Sequence, residues 1–294
     1  MKFSVRDNML QGMTLDQKFS LLEGIGYDGI ELVGRDELGD KVSRAKEILP
    51  SYRLKVSTLS GYRGDLISPN PLERRLAISD IEERLGWASE LGAVGLIVVP
   101  TFGSLKLPDL MPYASAYDLE RSLLISELKG LSKISVDKGV RVILEPLNRY
   151  ETHFLNTLDQ GYAIAEEAGE GVSIMADFFH MNIEEPDMAE AIRRNFNRLA
   201  HVHLADSNRL EPGKGHTNFV PSLKALGEMG YNGYGALECS LSDEPEKSLR
   251  SALSYVRSQL RGAHFKRSID EWLKEASSTS RKDRRDTRSR WGST

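Results

Sequence analysis

The sequence is poor in features that would place the protein outside the cell or in a membrane. It has a single cysteine, Cys239, so no internal disulfide can form and a reducing compartment is expected. No apolar run approaches the roughly 18 residues that span a bilayer. Residues 1–6 indicate a short strand rather than a long apolar signal. We therefore expect a cytoplasmic protein that does not enter membranes.

The chain also lacks an excess of positive charge. Its formal net charge is −4 at pH 7, whereas proteins that bind nucleic acid normally present a basic surface to the phosphates. The sequence therefore argues against nucleic acid as a partner. With 40% hydrophobic and 28% charged residues, the chain has the composition of a globular protein with a full core.

Short runs rich in Val, Ile and Leu recur along the chain, and a longer charged stretch with helical periodicity follows each run. Several of these stretches end at a glycine just before the next run, as at Gly26, Gly92 and Gly230, where a left-handed cap would turn the chain. This alternation predicts a parallel sheet. The predicted strands are Lys2–Arg6, Gly29–Val33, Lys55–Gly61, Gly95–Pro100, Arg141–Leu147, Val172–Phe179, Leu199–Ala205 and Gly235–Cys239.

Eight such units without a linker favour a closed (β/α)8 TIM barrel over a doubly wound open sheet. We expect residues 1–276 to form this single domain, ending in a C-terminal helix. Residues 277–294 are rich in Ser, Thr and Arg with almost no apolar side chains, which predicts a disordered basic tail. Phe102–Tyr117, with two prolines, predicts a long loop on the active-site face that would act as a lid.

Four predicted strands in the second half end in a side chain that binds cations: Glu145, Asp177, His203 and Glu238. In a barrel all strand ends of this polarity converge on one opening, so the four would meet there. Each alone could equally cap a strand or pair with an arginine. Three carboxylates in one pocket, however, repel one another unless a cation lies among them. The set predicts one divalent ion of the Mn, Mg or Co type, because zinc sites usually contain more His or Cys.

The segments around these positions carry a resemblance to a known family. They are Glu-Pro-Leu-Asn-Arg-Tyr-Glu at 145–151, Asp-Phe-Phe-His-Met-Asn at 177–182, His-Leu-Ala-Asp-Ser-Asn-Arg at 203–209 and Pro-Gly-Lys-Gly-His at 212–216. Together they resemble the ketose 3-epimerase branch of the xylose isomerase-like TIM barrels, also described as sugar phosphate isomerases and epimerases. Within that branch, segments 205–209 and 237–239 are most similar to an epimerase of keto-hexonates. The first half of the chain matches only in its general βα pattern.

The resemblance implies a metal-dependent epimerase or isomerase whose partner is a small keto sugar or keto-hexonate, with manganese preferred over magnesium or cobalt. It implies the same four metal ligands, with Glu145 and Glu238 as the acid/base pair on opposite sides of the substrate carbons. Three further residues would hold the substrate's oxygens: Glu151, His180 and Arg209. The family also implies a homodimer or homotetramer. The chemistry is consistent, since epimerisation through a cis-enediolate needs a carboxylate on each face of the substrate.

Five other positions carry weaker expectations. His201 shares a strand face with His203 but should lie one layer deeper, as a structural or supporting residue. The glycines at 213 and 215 lie where barrels often bind phosphate, which leaves a phosphorylated substrate open. Cys239 should point into the helix layer. His153 carries no functional signal.

Three rival functions use the same barrel. Endonucleases of abasic DNA need a basic groove and more histidines than the six present here. A lyase of the inosose or dehydroshikimate type would share the first proton abstraction and then lose water. A sugar-binding barrel without activity would not need paired carboxylates on a metal.

Overall fold

Eight parallel strands close into a barrel, and the helices that connect them lie around its outside. The computed structural model describes residues 1–261. Each strand hydrogen-bonds to the next, and the last pairs with the first. The predicted (β/α)8 barrel is therefore confirmed, and the open-sheet alternative is wrong. The strands are β1 (Lys2–Arg6), β2 (Gly29–Val33), β3 (Lys55–Ser60), β4 (Gly95–Val98), β5 (Arg141–Leu144), β6 (Val172–Asp177), β7 (Leu199–Leu204) and β8 (Tyr234–Leu237).

The connections are mostly single helices, but two helices separate β6 from β7. Among the described helices, none is both long and apolar enough to cross a membrane. Residues 245–261 form the last described helix; the predicted domain end at 276 and the tail at 277–294 lie outside the described residues. The other helices are α1 (Leu15–Ile25), α2 (Leu38–Ile48), α3 (Pro71–Leu91), α4 (Ala116–Asp137), α5 (Leu158–Ala168), α6 (Phe178–Glu184), α7 (Met188–Asn195) and α8 (Phe219–Glu228).

All eight predicted strands are present, but six of them end earlier than the apolar pattern predicts. Strand β4 ends at Val98, two residues before Pro100, and β5 ends at Leu144 rather than Leu147. Pro100 has no N–H group to donate to a strand ladder. The earlier ends place Glu145 as the first residue beyond β5, where its amide still donates to the Val98 carbonyl (3.1 Å).

The predicted loop after β4 is also shorter than expected. The chain is irregular only as far as Ser115, and α4 begins at Ala116. The Ser115 hydroxyl accepts a hydrogen bond from the amide of Asp118 (3.1 Å) and thereby caps the helix. The prediction of a loop that extends to Tyr117 is therefore wrong for its last two residues, Ala116 and Tyr117.

The barrel interior changes in character along its axis. Ile97, Ile143 and Met175 form a small apolar layer that is at most 2% exposed. Toward the carboxyl ends of the strands, the buried interior instead contains Glu31 and two histidines, all fully buried. Ionisable groups are rarely buried without partners, so this end of the interior has to balance its own charges.

Gly95 provides a test of the strand packing. A Cβ atom at this position would lie 2.0 Å from the carbonyl oxygen of Arg141 in β5. We expect Gly95→Ala to lower the free energy of unfolding by about 3 kcal/mol, because the β4–β5 ladder would have to move apart. In Gly130→Ala, on α4, the added Cβ meets no atom within 4 Å, and a gain of roughly 0.5–1 kcal/mol is expected. Urea denaturation measures both; equal stabilities would contradict the packing described.

Candidate metal centre and substrate pocket

The four strand-end residues lie together at the carboxyl end of the barrel. Their potential ligand atoms are all within 4.8 Å of one another. His203 Nδ1 lies 2.9 Å from Glu238 Oε2, 3.5 Å from Asp177 Oδ2 and 3.6 Å from Glu145 Oε1. The structure therefore brings together the four residues that the sequence singled out, from strands β5 to β8.

This arrangement fits a divalent cation. Donor atoms about 3 Å apart are typical of a single octahedral ion whose bonds are roughly 2.1 Å long. Asp177 Oδ1 caps α6 by accepting from the amides of Phe179 (2.7 Å) and His180 (3.2 Å). Its other oxygen, Oδ2, is buried and has no hydrogen-bond partner within residues 1–261. A buried carboxylate oxygen that is left unpartnered beside three other donors is well placed to bind a metal.

The charges of the cluster also fit a divalent cation. Burial alone would lower the pKa of His203, but Glu31 and the neighbouring carboxylates outweigh it and raise that pKa well above its ordinary value. Burial alone would raise the pKa of Asp177, yet His180 and His203 outweigh it and lower that pKa. Three carboxylates thus surround one imidazole, and a divalent cation would compensate their negative charge.

Glu31, in the middle of β2, supports the cluster from beneath. Its Oε2 lies 3.1 Å from Nε2 of both His203 and His201 and accepts a hydrogen bond from Thr58 Oγ1 (2.7 Å). Burial alone would raise the pKa of Glu31, but His203 and Arg6 hold it well below its ordinary value. A carboxylate that accepts from Nε2 fixes the ring so that Nδ1 faces the cluster. His201 lies one layer below His203, as expected.

Arg6, the last residue of β1, links this support to the site. Its Nε lies 3.0 Å from Glu31 Oε1, its Nη2 donates to Ser60 Oγ (3.1 Å), and its Nη1 pairs with Glu238 Oε1. Glu238 therefore has one oxygen toward Arg6 and the other toward His203. Glu31, His201 and His203 also form a potential ligand group of their own, but there Arg6 already supplies the positive charge.

Neither Glu31 nor Arg6 is among the predicted site residues, although each left a signal in the sequence. Arg6 is the last residue of β1, and a search for charged residues at the ends of the first four strands, like that made for the last four, would have found it. Glu31 is a charged residue in an otherwise apolar strand, Gly-Ile-Glu-Leu-Val. A single carboxylate in a central strand is unusual unless it has partners in the barrel interior.

The three residues expected to hold substrate lie side by side above the cluster. Arg209 Nη1 is 3.5 Å from Glu151 Oε1 and 3.4 Å from His180 Nε2, and its guanidinium stacks on the Phe179 ring at 4.5 Å. His180 Nδ1 accepts from the backbone amide of Asn148 (3.2 Å), which leaves Nε2 as the donor. Arg209 has a φ of 57°, a conformation that costs non-glycine residues free energy and is found at functional sites.

The glycine-rich loop after β7 does not offer its amides to a phosphate. The amides of Gly213 and Thr217 donate to the two oxygens of Asp206, at 2.9 Å each. Burial alone would raise the pKa of Asp206, but these backbone amides outweigh it and lower that pKa. The loop thus binds a carboxylate of its own chain where a phosphate site was open.

A cavity of about 400 Å³ lies over the cluster. Its inner half is formed by residues already described, including Arg6, Glu145, His180 and Glu238. Its outer half extends between the loops after β2, β3 and β4, a part of the site that the sequence analysis could not assign. We call this outer half the outer subsite; it is lined by Arg35, Tyr62, Asp65, Phe102 and Lys106.

Comparison with known proteins agrees with the fold. Residues 19–259 match the family model of the xylose isomerase-like TIM barrel. A 3-dehydro-D-guloside 4-epimerase of Escherichia coli (strain K12) is 32% identical over 266 residues, which are 87% of this chain and 99% of that protein. A ketose 3-epimerase of Arthrobacter globiformis is 32% identical over 211 residues, 71% of each chain.

Solved structures show the same barrel. The crystal structure of a 3-keto-D-glucoside 4-epimerase from E. coli superposes with a TM-score of 0.77 at 31% identity, covering 88% of this chain and 99% of that one. A structure of an L-ribulose 3-epimerase has a TM-score of 0.81 at 20% identity, covering 91% and 97%. The second likeness, at this identity, concerns the fold alone.

Replacing Glu31 tests the supporting layer. Glu31→Gln keeps the shape of the side chain but removes the charge that orients His203 and Arg6, so we expect manganese affinity to fall by roughly 10- to 100-fold. Glu47→Gln, at an exposed carboxylate on α2 that pairs with Arg44, is the matched control and should bind as the unchanged protein does. Calorimetric titration with Mn²⁺ measures the affinities; unaltered binding in Glu31→Gln would refute the role assigned to this layer.

Proposed function

This chain belongs to the xylose isomerase-like TIM barrel family, and from that premise we propose that it inverts a carbon next to the ketone of a keto sugar by metal-assisted proton transfer. The two relatives described above are epimerases of keto sugars, and the chain is a sugar epimerase of this kind. The proposed roles of individual residues rest on the geometry of the site.

The observation that carries the proposal is the placement of two carboxylates around one cavity. Glu145 follows β5 and Glu238 follows β8, with β6 and β7 between them, and both side chains line the cavity. We propose that they approach a bound sugar from different sides. Inversion of a carbon requires a proton to leave one face and another to arrive on the opposite face, which a single carboxylate cannot accomplish.

Glu145, Asp177, His203 and Glu238 would hold the divalent ion. When bound, such an ion polarises a ketone and stabilises the negative charge of an enediolate. We propose manganese, in keeping with a ligand set of three carboxylates and one imidazole.

The chain's own residues then have separate tasks. One glutamate of the pair Glu145 and Glu238 takes the proton from the carbon beside the ketone, and the other returns a proton to the opposite face. His180 donates from Nε2 and Arg209 from its guanidinium to the substrate's oxygens. Glu151 accepts from a hydroxyl and holds Arg209 in place.

Several expectations stay predictions alongside this proposal. A cytoplasmic location rests on the single cysteine, a homodimer or homotetramer rests on family resemblance, and the absence of nucleic-acid binding rests on the net charge. A keto-hexonate remains a candidate substrate beside neutral keto sugars.

Solvent isotope incorporation tests the proposed mechanism. With Mn²⁺-loaded protein in heavy water, a panel of ketoses, keto-glycosides and keto-hexonates should include a substrate that gains deuterium at the inverted carbon and keeps all its oxygens. Mass spectrometry and NMR of the product measure this. Product without solvent deuterium would exclude proton transfer, and loss of water would identify a lyase.

Substituting the two glutamates tests their roles separately. Glu145→Gln and Glu238→Gln each remove a base, so each should slow epimerisation by about two orders of magnitude or more. Because each glutamate would serve one epimer, we expect each variant to retain deuterium exchange from one epimer only, and from a different epimer in each variant. Glu170→Gln, far from the cavity at the opposite end of the barrel, is the control. Full epimerisation rates in both cavity variants would overturn the two-carboxylate mechanism.

A further inference from the structure

The outer subsite is built by two groups of buried charges that do not belong to the metal centre. The first lies on α3. Arg84 is only 1% exposed, and its Nη1 donates to the carbonyls of Gly34 (2.9 Å) and Gly61 (2.7 Å), while Nη2 donates to the carbonyl of Arg35. Its Nε pairs with Asp80 Oδ2 (2.5 Å). One buried guanidinium therefore holds the loops after β2 and β3 together.

The second group holds the loop after β4. The carboxylate of Glu120, on α4, is fully buried and accepts from the backbone amides of Lys106 (2.5 Å) and Leu107 (3.1 Å). Its other oxygen lies 2.5 Å from His153 Nε2, and His153 donates from Nδ1 to the carbonyl of Gly103 (2.8 Å). His153, which had no functional signal in the sequence, thus ties this loop to the one after β5.

In both groups, buried charged side chains form hydrogen bonds with the backbone of the loops. Removing a charged side chain from water is costly, and the cost is recovered only through well-formed hydrogen bonds. Here those bonds end on the carbonyls and amides of the segments that form the outer subsite. Neither Arg84 nor Glu120 contacts a proposed metal ligand, so the metal centre does not account for them. The outer half of the cavity is therefore a shaped binding surface rather than an open entrance.

The cavity is larger than one sugar ring requires. Its volume of about 400 Å³ lies within the range of pockets that bind drug-sized ligands, about 300–1,000 Å³. Such ligands are larger than a single sugar ring. A monosaccharide that is held at the metal centre would leave the outer subsite unfilled.

The lining of the outer subsite indicates what fills it. The Phe102 ring is 49% exposed and offers an apolar face. Asp65 lies 4.0 Å from Lys106 Nζ, and Arg35 forms no ion pair with any described residue. Charges of both signs beside an aromatic face suit a neutral ring with many hydroxyl groups, which can both donate and accept. Asp65 supplies an acceptor for hydroxyl donors, which a site that binds only anions would lack.

We infer that the outer subsite binds a second, hydroxyl-bearing ring joined to the keto sugar, so that the substrate is a keto-glycoside with a sugar-like substituent rather than a free ketose. This inference rests on the proposed function, since it assigns the keto ring to the metal centre. Phe102, Asp65 and Lys106 would determine this specificity by contact. Glu120, His153 and Arg84 would be positioning residues.

Two probes with the same keto ring test the inference: 3-keto-trehalose, which carries a second glucose, and methyl 3-keto-α-glucoside, which carries only a methyl group. With Mn²⁺-loaded protein in heavy water, kcat/KM for deuterium incorporation should be at least about tenfold higher for the disaccharide, mainly through a lower KM. Equal values for the two probes would overturn the inference while leaving the proposed function intact. Absence of exchange in both probes and in all free ketoses would instead refute the proposed function.

Contact variants locate the effect. Phe102→Ala and Asp65→Ala should each remove most of the difference in kcat/KM that favours 3-keto-trehalose. Neither should change kcat/KM for methyl 3-keto-α-glucoside. Tyr113→Ala is the matched control, because Tyr113 is an exposed aromatic residue (87%) on the same loop that does not line the cavity. A subsite for a second ring would be contradicted if Phe102→Ala lowered kcat/KM equally for both probes. It would also be contradicted if Tyr113→Ala lowered kcat/KM for 3-keto-trehalose as much as Phe102→Ala does.

Positioning variants separate loop placement from general stability. Glu120→Gln should raise KM for 3-keto-trehalose several-fold. The kcat for methyl 3-keto-α-glucoside and the manganese content of the protein should stay the same. Arg121→Ala, which removes the neighbouring surface pair with Glu167, is the control and should change none of these three quantities. Melting temperatures are measured for both variants. Parallel losses for both probes in Glu120→Gln would show a structural role alone and overturn the positioning role.

Discussion

The carboxylate of Glu31 balances the charges of the whole site. It accepts from His203 and His201 and pairs with Arg6, and Arg6 in turn pairs with Glu238. These contacts fix the orientation of one metal-facing imidazole and one oxygen of a proposed base. A buried carboxylate is costly without partners, so each of these groups depends on the others. The site is therefore a single network that extends from β1 to β8.

The fold and the metal-facing residues could be predicted because both follow from local patterns. Eight apolar runs that alternate with helical stretches have few other solutions than a barrel. Glu145, Asp177, His203 and Glu238 are visible because each ends such a run, and the strand ends of a barrel all face one opening. The strand bounds were less accurate, since apolar residues such as Leu147 continue past the last ladder hydrogen bond.

The supporting residues were harder to predict because their partners are distant in sequence. Glu31 and His203 are 172 positions apart, and Glu120 and His153 lie in different βα units. A buried ion pair between helix and loop has no spacing that a single sequence displays. The outer subsite was missed for the same reason: its shape depends on loop backbones, and the residues that hold those backbones, such as Arg84, resemble ordinary helix-surface charges in the sequence.

The buried pairs on α3 and α4 also bear on how such enzymes diversify. They hold the loops by their backbones, so Phe102 and Lys106, whose side chains face the outer half of the cavity, are not needed to keep the loops in place. Phe102 and Lys106 are largely exposed, and exposed positions tolerate exchange at little cost in stability. Mutation can thus alter substrate range one side chain at a time while the inherited proton-transfer chemistry is left undisturbed.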